Sequence, residues 1–288
     1  MAMGAITEQE MSTSLDQPGY RSGRTLFMAI AGIVSVMVIL ALALAWVDSR
    51  MLNEINDYKS AGLTILPSNA ANPEELLDFA ATEGFACDSI EDLFSGTGSC
   101  ANVLDIAKTV NDYKSDQSVI WACIFFATIA LIVAFTMFIH QASSNLKHLR
   151  TEGQKFTPGW AVGWFFIPLM NLYKPIGIVR ELVKASGATD TKNPAAWQNG
   201  NPPDGLMISS WWTLVIFAIL FGPRGIAVFV GRDNISDWAA AGRLLVWSDL
   251  FQVLPLVLTV IVVFRLQRAQ EIRRQLVLAR QTRAGNNS

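Results

Sequence analysis

The residues of this chain that could do chemistry are few, and they do not form a recognisable catalytic set. Its only two histidines, His140 and His148, lie close together in sequence, and Glu152 is the one carboxylate near them. Zinc and haem need several ligands held in one place, which this pair does not supply. The chain also lacks a glycine-rich phosphate loop, an HExxH motif and a GxSxG motif. We therefore expect no enzymatic activity, no metal and no cofactor.

Two ionisable residues, Arg224 and Asp249, fall within apolar stretches, where charged groups are costly and are a usual sign of function. Both are predicted at similar depth toward the outer side of a membrane, so they could pair. The pair has two interpretations. It is a structural ion pair, or Arg224 extends to the surface; alternatively it belongs to a transport or proton-relay path, which would require a position nearer the midplane.

A third group of candidates lies in residues 158–183, which are rich in Trp and Phe and interrupted by proline. Proline breaks a helix and leaves backbone carbonyls unpaired, which a membrane tolerates only against protein or water. The segment is therefore predicted either to contact a lipid headgroup, a solute or a protein partner, or simply to cap the helices. The candidate contact residues are Trp160, Trp164, Pro168, Asn171, Lys174 and Pro175.

Two cysteines, Cys87 and Cys100, lie in a stretch predicted outside the membrane, where disulfides persist. A bridge between them would close a loop of about 14 residues, worth roughly 3 kcal/mol by loop entropy. The alternative is a redox or metal pair, which the spacing, unlike CxxC, does not favour. The sequence predicts a structural disulfide bond.

The elements that must position these residues are those of an integral membrane protein. The 288 residues are 51% hydrophobic and 16% charged, whereas a soluble domain has about 25% charged residues. Four stretches are long and apolar enough to span a bilayer: residues 26–47, 118–140, 206–230 and 244–264. The apolar part of 158–183 would make a helix of only about 22 Å, so we expect a re-entrant or interfacial element. Trp211 and Trp212 are expected at the membrane interface.

The distribution of charged residues along the chain predicts its orientation in the membrane. Residues 48–117 hold thirteen Asp or Glu and four Lys or Arg, a net charge of −9, whereas the basic residues gather in the segments expected in the cytoplasm. The predicted cytoplasmic segments are a disordered tail (1–25), two loops (141–157 and 184–205) and the C-terminal helix (265–288). The predicted outer segments are an acidic helical cap (48–117) and a short loop (231–243).

The cap carries local helix signals. Asn72 followed by Pro73 is typical of a helix N-terminus, and Gly84 of its end. Asp88 with Glu91 has the spacing of a capping box. Ala101–Lys114 is predicted to be a helix that continues into the second span.

The C-terminal segment 265–288 is predicted to be a cationic amphipathic helix that contacts anionic lipid, or that packs on the 141–157 loop. Its predicted apolar face is Leu266, Ala269, Ile272, Leu276 and Ala279. Its arginines are expected on the other face.

Residues 119–272 resemble the bacterial membrane family catalogued as domain of unknown function 4328. The residues that carry the resemblance are Asn145-Leu146, the run from Pro158 to Trp164, Pro168, Asn171-Leu172, Lys174-Pro175, Arg180-Glu181-Leu182, Trp211-Trp212 and the run from Arg265 to Gln270. The family implies a multi-spanning protein of the bacterial inner membrane. It brings no known activity, so it implies no catalytic residue.

The fold predicted is an all-α integral membrane protein with four transmembrane helices, a proline-broken re-entrant or interfacial element and a small helical extracytoplasmic cap. The function predicted is that of a non-enzymatic membrane protein that binds a protein partner or a lipid, as an accessory or scaffold subunit. The alternative is a small-solute transporter or channel, formed as an oligomer. The expected partners are the bilayer, a membrane protein or further copies of the chain, and not nucleic acid.

Overall fold

The computed structural model describes residues 19–67, 71–87, 89–188, 190, 193, 195–199, 205–222 and 234–285. These residues form helices and connecting segments, with no strand among them, so the all-helical prediction is confirmed for this part of the chain. The helices in chain order are α1 (Arg24–Ser60), α2 (Pro73–Thr82), α3 (Ile90–Ser95), α4 (Ser99–His148), α5 (Pro158–Gly163), α6 (Pro168–Asn171), α7 (Lys174–Gly187), a short 3-10 helix (Ala196–Asn199), α8 (Gly205–Phe221) and α9 (Ile235–Gly285).

Three of these helices, α1, α4 and α9, are long and apolar enough to cross a membrane. They contain the spans predicted at 26–47, 118–140 and 244–264, and they indicate a membrane protein. Helix α8 is also apolar but has 17 residues, which corresponds to about 26 Å. It covers the first part of the span predicted at 206–230. The rest of that prediction, like most of the predicted tail, lies outside the described residues.

The long helices extend beyond the predicted spans. Residues 141–148, expected in a loop, are the last two turns of α4. The helix ends where Arg150 takes a positive φ of 51°, and Thr151 N–H then donates to Leu146 O at 3.1 Å. Helix α9 joins the predicted fourth span and C-terminal helix into one element, with Pro255 inside it. Charged residues within these helices marked the predicted ends of spans, but charge alone does not end a helix.

The chain folds into two compact units. The first, here the disulfide unit, comprises Ser35–Thr128 and Phe217–Leu254. The second, here the aromatic unit, comprises Met1–Val34, Ile129–Ile216 and Pro255–Ser288. The predicted cap residues and Asp249 belong to the disulfide unit, and the proline-broken element belongs to the aromatic unit.

Capping residues near in sequence define the ends of the short helices of the disulfide unit. Asn72 accepts a hydrogen bond from Glu74 N–H at 3.1 Å, and Pro73 opens α2. Gly84 follows the end of α2 with a φ of 76°, so these predictions are confirmed. Helix α3 is capped by Ser89, whose hydroxyl accepts from Asp92 N–H at 3.1 Å. The predicted capping residue Asp88 lies outside the described residues, and the cap that the structure shows is one residue later.

A hydrophobic core holds this unit together. Phe79 and Leu93 of the short helices pack with Ile55 of α1, Val103 of α4 and Ala239 of α9. Cys87 and Cys100 are buried in the same core and are joined by a disulfide bond, which confirms the predicted bridge.

We expect loss of this bridge to destabilise the short helices by roughly 3 kcal/mol, because the unfolded loop regains its entropy. Limited proteolysis of the full chain, with Cys87→Ala combined with Cys100→Ala, should show faster cleavage between residues 60 and 100. The matched control is Cys123→Ser, which changes the free cysteine. Equal cleavage rates in both variants would contradict a stabilising role.

The core of the aromatic unit forms where α4, α7, α8 and α9 pack. Its fully buried side chains include Phe138 and Leu146 of α4, Ile178 of α7, Trp211 of α8 and Leu266 of α9. Trp211 donates from Nε1 to Thr259 Oγ1 at 2.9 Å. Trp212 is buried as well, so both tryptophans are packing residues of this core, and their position at the membrane interface stays a prediction.

The C-terminal part of α9 buries a different face from the predicted one. Leu266 and Val277 are buried as apolar residues, but Arg273 is buried between them while Ile272 and Leu276 are exposed. The prediction placed the arginines on a face other than the apolar one. It was wrong for Arg273, because this guanidinium is needed as a hydrogen-bond donor inside the unit: it donates to the carbonyl oxygens of Leu149, Arg150 and Ala188.

Candidate functional site

Prolines divide residues 158–183 into three helices. Pro158, Pro168 and Pro175 each lie in the first turn of a helix, where a missing N–H removes no intrahelical hydrogen bond. Thr157 caps α5 by accepting from Trp160 N–H at 3.4 Å. The proline breaks predicted from the sequence are thus confirmed, and they turn the chain twice within a short distance.

This element carries several exposed apolar side chains. Leu169 is 77% exposed, and large apolar and aromatic residues near it in sequence are exposed as well. Exposed apolar side chains concentrated in so short a segment indicate a membrane or partner contact. We refer to this group of side chains as the apolar ridge, formed by Trp160, Phe166, Leu169, Leu172 and Tyr173.

Other residues of the element are held by aromatic packing. Trp212 of α8 donates from Nε1 to Asn171 O at 2.9 Å, and its ring meets Phe165 at 5.6 Å. Phe165 in turn packs on Phe135 of α4 at 5.7 Å. The Asn171 side-chain oxygen is buried without a hydrogen-bond donor among the described residues. The hydrogen bond and the ring packing of Trp212 therefore hold the irregular backbone between α6 and α7 in place.

Lys174 opens α7 inside a group of aromatic rings. Its ammonium lies 5.1 Å from the ring centre of Trp164, 5.6 Å from Tyr173 and 5.9 Å from Phe156. Trp164 also packs on Trp160 at 5.1 Å. A cation over ring faces is stabilised electrostatically, so the rings hold the charge of Lys174 without neutralising it.

Beside this lysine is a cleft of about 750 Å³ between α7, the 3-10 helix and the segment before α5. Four cationic side chains and one carboxyl line it, so its net charge is positive. We refer to it as the cationic cleft. Its principal residues are Lys155, Lys174, Arg180, Glu181, Lys184 and Trp197.

The cations of the cleft are oriented by neutral partners. Lys184 donates to Gln198 O at 2.8 Å and lies 5.8 Å from the Trp197 ring. Arg180 donates from Nη2 to Gly205 O at 3.0 Å and also to the Ser209 hydroxyl, while its Nε is buried without an acceptor among the described residues. These contacts position the positive charges and leave them uncompensated.

Glu181 is the one carboxyl in the cleft. It accepts the Lys155 backbone N–H at 2.8 Å. Burial raises its pKa above the ordinary value of 4.5, and the backbone hydrogen bonds from Lys155 and Phe156 oppose that shift. The carboxyl therefore takes up a proton more readily than a solvated glutamate, and the cleft becomes more positive when it does.

Asp249 lies elsewhere, in the disulfide unit, which also buries Asp48, a residue that the sequence analysis missed. Asp249 is 1% exposed and Asp48 2% exposed, and neither side-chain oxygen of Asp249 has a hydrogen-bond partner among the described residues. Asp48 Oδ1 accepts from Tyr113 at 2.9 Å and from Gln117 at 2.7 Å. Arg224, the predicted partner of Asp249, lies outside the described residues, so that pair stays a prediction.

The predicted contact residues thus lie on one element: Lys174 lines the cleft with Trp164 packed beside it, and Trp160 and Pro168 are exposed. Sequence analysis missed Lys155, Arg180 and Lys184 as a set. The spacing of Arg180 and Lys184, one helical turn apart, was an available signal. Asp48 was missed because it follows the last apolar residue of a span and was counted as solvated. No group of three or more His, Cys, Asp or Glu among the described residues is arranged to hold a metal ion.

A sequence model of the family described as Domain of unknown function (DUF4328) matches residues 108–268, more than half of the chain. The resemblance inferred from the sequence began later, at residue 119, and ended slightly further on, at residue 272. No curated protein and no solved structure matches the chain. The chain belongs to the DUF4328 family.

Proposed function

We propose that this protein is a non-enzymatic, multi-spanning protein of the bacterial inner membrane that binds an anionic lipid through the cationic cleft. The observation that carries this proposal is the position of the cleft next to the apolar ridge. Lys174 begins α7 directly after Leu172 and Tyr173 of the ridge, so positive charge and exposed apolar surface meet on one element.

An anionic lipid presents the complementary arrangement. Its phosphate would enter the cleft and accept from Lys174, Lys184 and Arg180, whose charges have neutral partners only. Its acyl chains would lie along Leu169 and Leu172. Charge-assisted hydrogen bonds to phosphate are stronger than neutral ones, and the ridge removes apolar surface from water when it enters the bilayer.

The charge distribution supports a cytoplasmic position for the cleft. Residues 48–117, with a net charge of −9, are proposed to lie outside, and the basic segments that flank the proline-broken element inside. The cytoplasmic leaflet carries anionic lipids that attract basic segments. The arginines of α9 that are exposed, such as Arg268, would add to this attraction.

Lipid retention tests the proposal. Protein purified in mild detergent from membranes that contain phosphatidylglycerol and phosphatidylethanolamine would be analysed by native mass spectrometry. We expect retained phosphatidylglycerol, and Lys174→Ala combined with Lys184→Ala should weaken its binding roughly 30-fold, at about 1 kcal/mol per basic residue.

The matched control is Lys59→Ala combined with Lys108→Ala, which removes the same charge from exposed positions of the disulfide unit. Retention of both lipids in equal amounts, or equal losses in the two double variants, would overturn the proposal. So would a stoichiometric protein partner held by the ridge in place of lipid, which would make the chain an accessory subunit.

Protonation of Glu181 gives a second prediction. As the pH falls toward 4.5, Glu181 is neutralised before a solvated glutamate would be, because its pKa is raised. The cleft loses a negative charge, so binding of anionic lipid should strengthen. Glu181→Gln should show the stronger binding already at neutral pH and should flatten the pH dependence. An unchanged pH profile in this variant would exclude Glu181 as the titrating group.

A further inference from the structure

Residues 19–23, which precede α1, are held against α4 and α9 of the aromatic unit. We refer to them as the N-terminal strap. Asn145 of α4 accepts from Arg21 N–H at 3.1 Å and donates to Arg21 O at 2.8 Å, and Gln141 donates to the same oxygen at 2.8 Å. Because an amide side chain both donates and accepts, Asn145 fixes both backbone groups of one residue.

The amide that holds the strap is itself held. Asn145 is 2% exposed, and its Nδ2 also donates to Gln270 Oε1 of α9 at 3.2 Å. Gln270 in turn donates to Ala142 O at 2.8 Å. A buried polar network whose members are hydrogen-bonded favours one arrangement, so Arg21 is bound by a preformed surface.

Two glycines bring the strap close to α4. At Gly23, which is buried, a Cβ atom would lie 3.0 Å from the Phe138 ring. Gly19 has a φ of 103°, and a side chain there would overlap the His148 ring. Glycine is the residue that tolerates both a positive φ and such a close approach, so the sequence of the strap suits this docked position.

The docked strap forms one wall of a cavity of about 450 Å³. We refer to it as the strap cavity. None of the described residues that line it is Asp or Glu. Its polar wall includes Arg21, His140 and Ser144, and its apolar wall includes Leu26, Met137 and Val162.

The polar wall presents unused hydrogen-bond donors. The Arg21 guanidinium has no carboxylate partner among the described residues, and neither the His140 ring nor the Ser144 hydroxyl is hydrogen-bonded to any of them. All three side chains can donate. The planar guanidinium of arginine matches the geometry of a phosphate, and charge-assisted hydrogen bonds to phosphate are the stronger ones. This wall is therefore complementary to a phosphate group.

The apolar wall indicates which phosphate. Leu26 begins the span predicted at 26–47, and His140 ends the span predicted at 118–140, so the cavity lies where two predicted spans meet the headgroup region. Met137, one turn before His140, is 55% exposed. A phospholipid carries its phosphate next to its acyl chains and fits both walls. A free phosphate ion would leave the apolar wall uncovered.

We propose that the strap cavity binds one phospholipid molecule, whose phosphate accepts from Arg21, His140 and Ser144 while an acyl chain covers Leu26 and Met137. This site is independent of the cationic cleft, and it recognises the phosphate rather than a net negative charge. Zwitterionic phosphatidylethanolamine should therefore occupy it. In an equimolar mixture it takes both lipids alike, so an excess of retained phosphatidylglycerol still indicates binding at the cationic cleft.

Native mass spectrometry of the full-length protein, titrated with phosphatidylethanolamine in mild detergent, tests this site. The titration is made in the Lys174→Ala, Lys184→Ala background, so that its result does not depend on lipid binding at the cationic cleft. We expect one bound phosphatidylethanolamine. Arg21→Ala keeps the backbone that Asn145 holds and should weaken the binding roughly tenfold, as for one hydrogen bond to a charged group. The matched control, Arg24→Ala, removes the same charge from an exposed position outside the cavity and should leave the binding unchanged.

Two further comparisons separate phosphate recognition from apolar contact. His140→Gln retains an N–H donor and should bind more tightly than His140→Phe, which has none. Diacylglycerol, which has the acyl chains without the phosphate, should not be retained. Equal binding in Arg21→Ala and Arg24→Ala would overturn the proposal, and so would retention of diacylglycerol as tight as that of phosphatidylethanolamine. Absence of bound phosphatidylethanolamine before Arg21 is changed would overturn it without reference to the other variants.

Discussion

Replacement of Arg273 by methionine is expected to unfold the aromatic unit or to lower its stability by about 3–5 kcal/mol, since each buried acceptor left without a donor costs roughly 1–3 kcal/mol. The residue is 1% exposed. Its Nε donates to Leu149 O at 3.0 Å and its Nη2 to Arg150 O at 3.3 Å, and it also donates to Ala188 O. Methionine has a similar length and no donor, so it leaves these carbonyls unpaired.

Thermal unfolding in detergent, followed by tryptophan fluorescence, measures this effect. Arg268→Met is the matched control: it makes the same change on the same helix at an exposed position, and we expect it to alter stability by no more than about 0.5 kcal/mol. Arg273→Lys should fall between the two, because a single ammonium cannot reach all three carbonyls. If Arg273→Met proved as stable as Arg268→Met, the anchoring role of Arg273 would be refuted.

Trp212→Ala is expected to cost about 3–5 kcal/mol and to release the proline-broken element from α8. The ring is buried, packs on Phe165 at 5.6 Å and on Trp211 at 5.3 Å. Its Nε1 is the donor to Asn171 O. The alanine therefore removes both the packing and a side-chain hydrogen bond that holds the turn between α6 and α7.

Trp212→Phe divides these contributions. It keeps most of the ring packing and removes the N–H donor, so we expect a loss of about 1–3 kcal/mol. The unfolding temperature measures the stability of each variant, and lipid retention measures lipid binding at the cationic cleft. We expect Trp212→Ala to weaken lipid binding more than Trp212→Phe at a temperature where both variants are folded. Full lipid retention in folded Trp212→Ala would show that the cleft does not depend on this anchor.

Local signals explain what could be predicted from the sequence. Asn72, Pro73 and Gly84 act on their own helix ends, and the prolines at 168 and 175 act on the next turn. Apolar length reveals three of the long helices directly. The disulfide between Cys87 and Cys100 followed from their number and spacing in one acidic segment. Each of these inferences needs only residues that are near in sequence.

The missed features depend on residues that are distant in sequence. Asp48 and Asp249 are 201 positions apart, and both become buried only when the chain folds into the disulfide unit. Arg273 resembles its exposed neighbours in sequence, and only the carbonyls of Leu149 and Ala188 distinguish it. Arg180 and Lys184 share a helix face, but Lys155 joins them only when the chain folds back. The hydrophobic periodicity of a helix contains no information on contacts between residues that are distant in sequence.

Photocrosslinking tests most directly the claim that this protein binds an anionic lipid at the apolar ridge and the cationic cleft. Phosphatidylglycerol with a photoreactive acyl chain would be incorporated with the protein into bilayers, and the labelled peptides would be identified by mass spectrometry. The account predicts labelling concentrated on the apolar ridge, at Leu169 and Leu172, that is reduced by Lys174→Ala with Lys184→Ala and unchanged by Lys59→Ala with Lys108→Ala. Equal labelling of the ridge and of exposed apolar positions of α4 such as Phe125 and Phe126, insensitive to both variants, would contradict it.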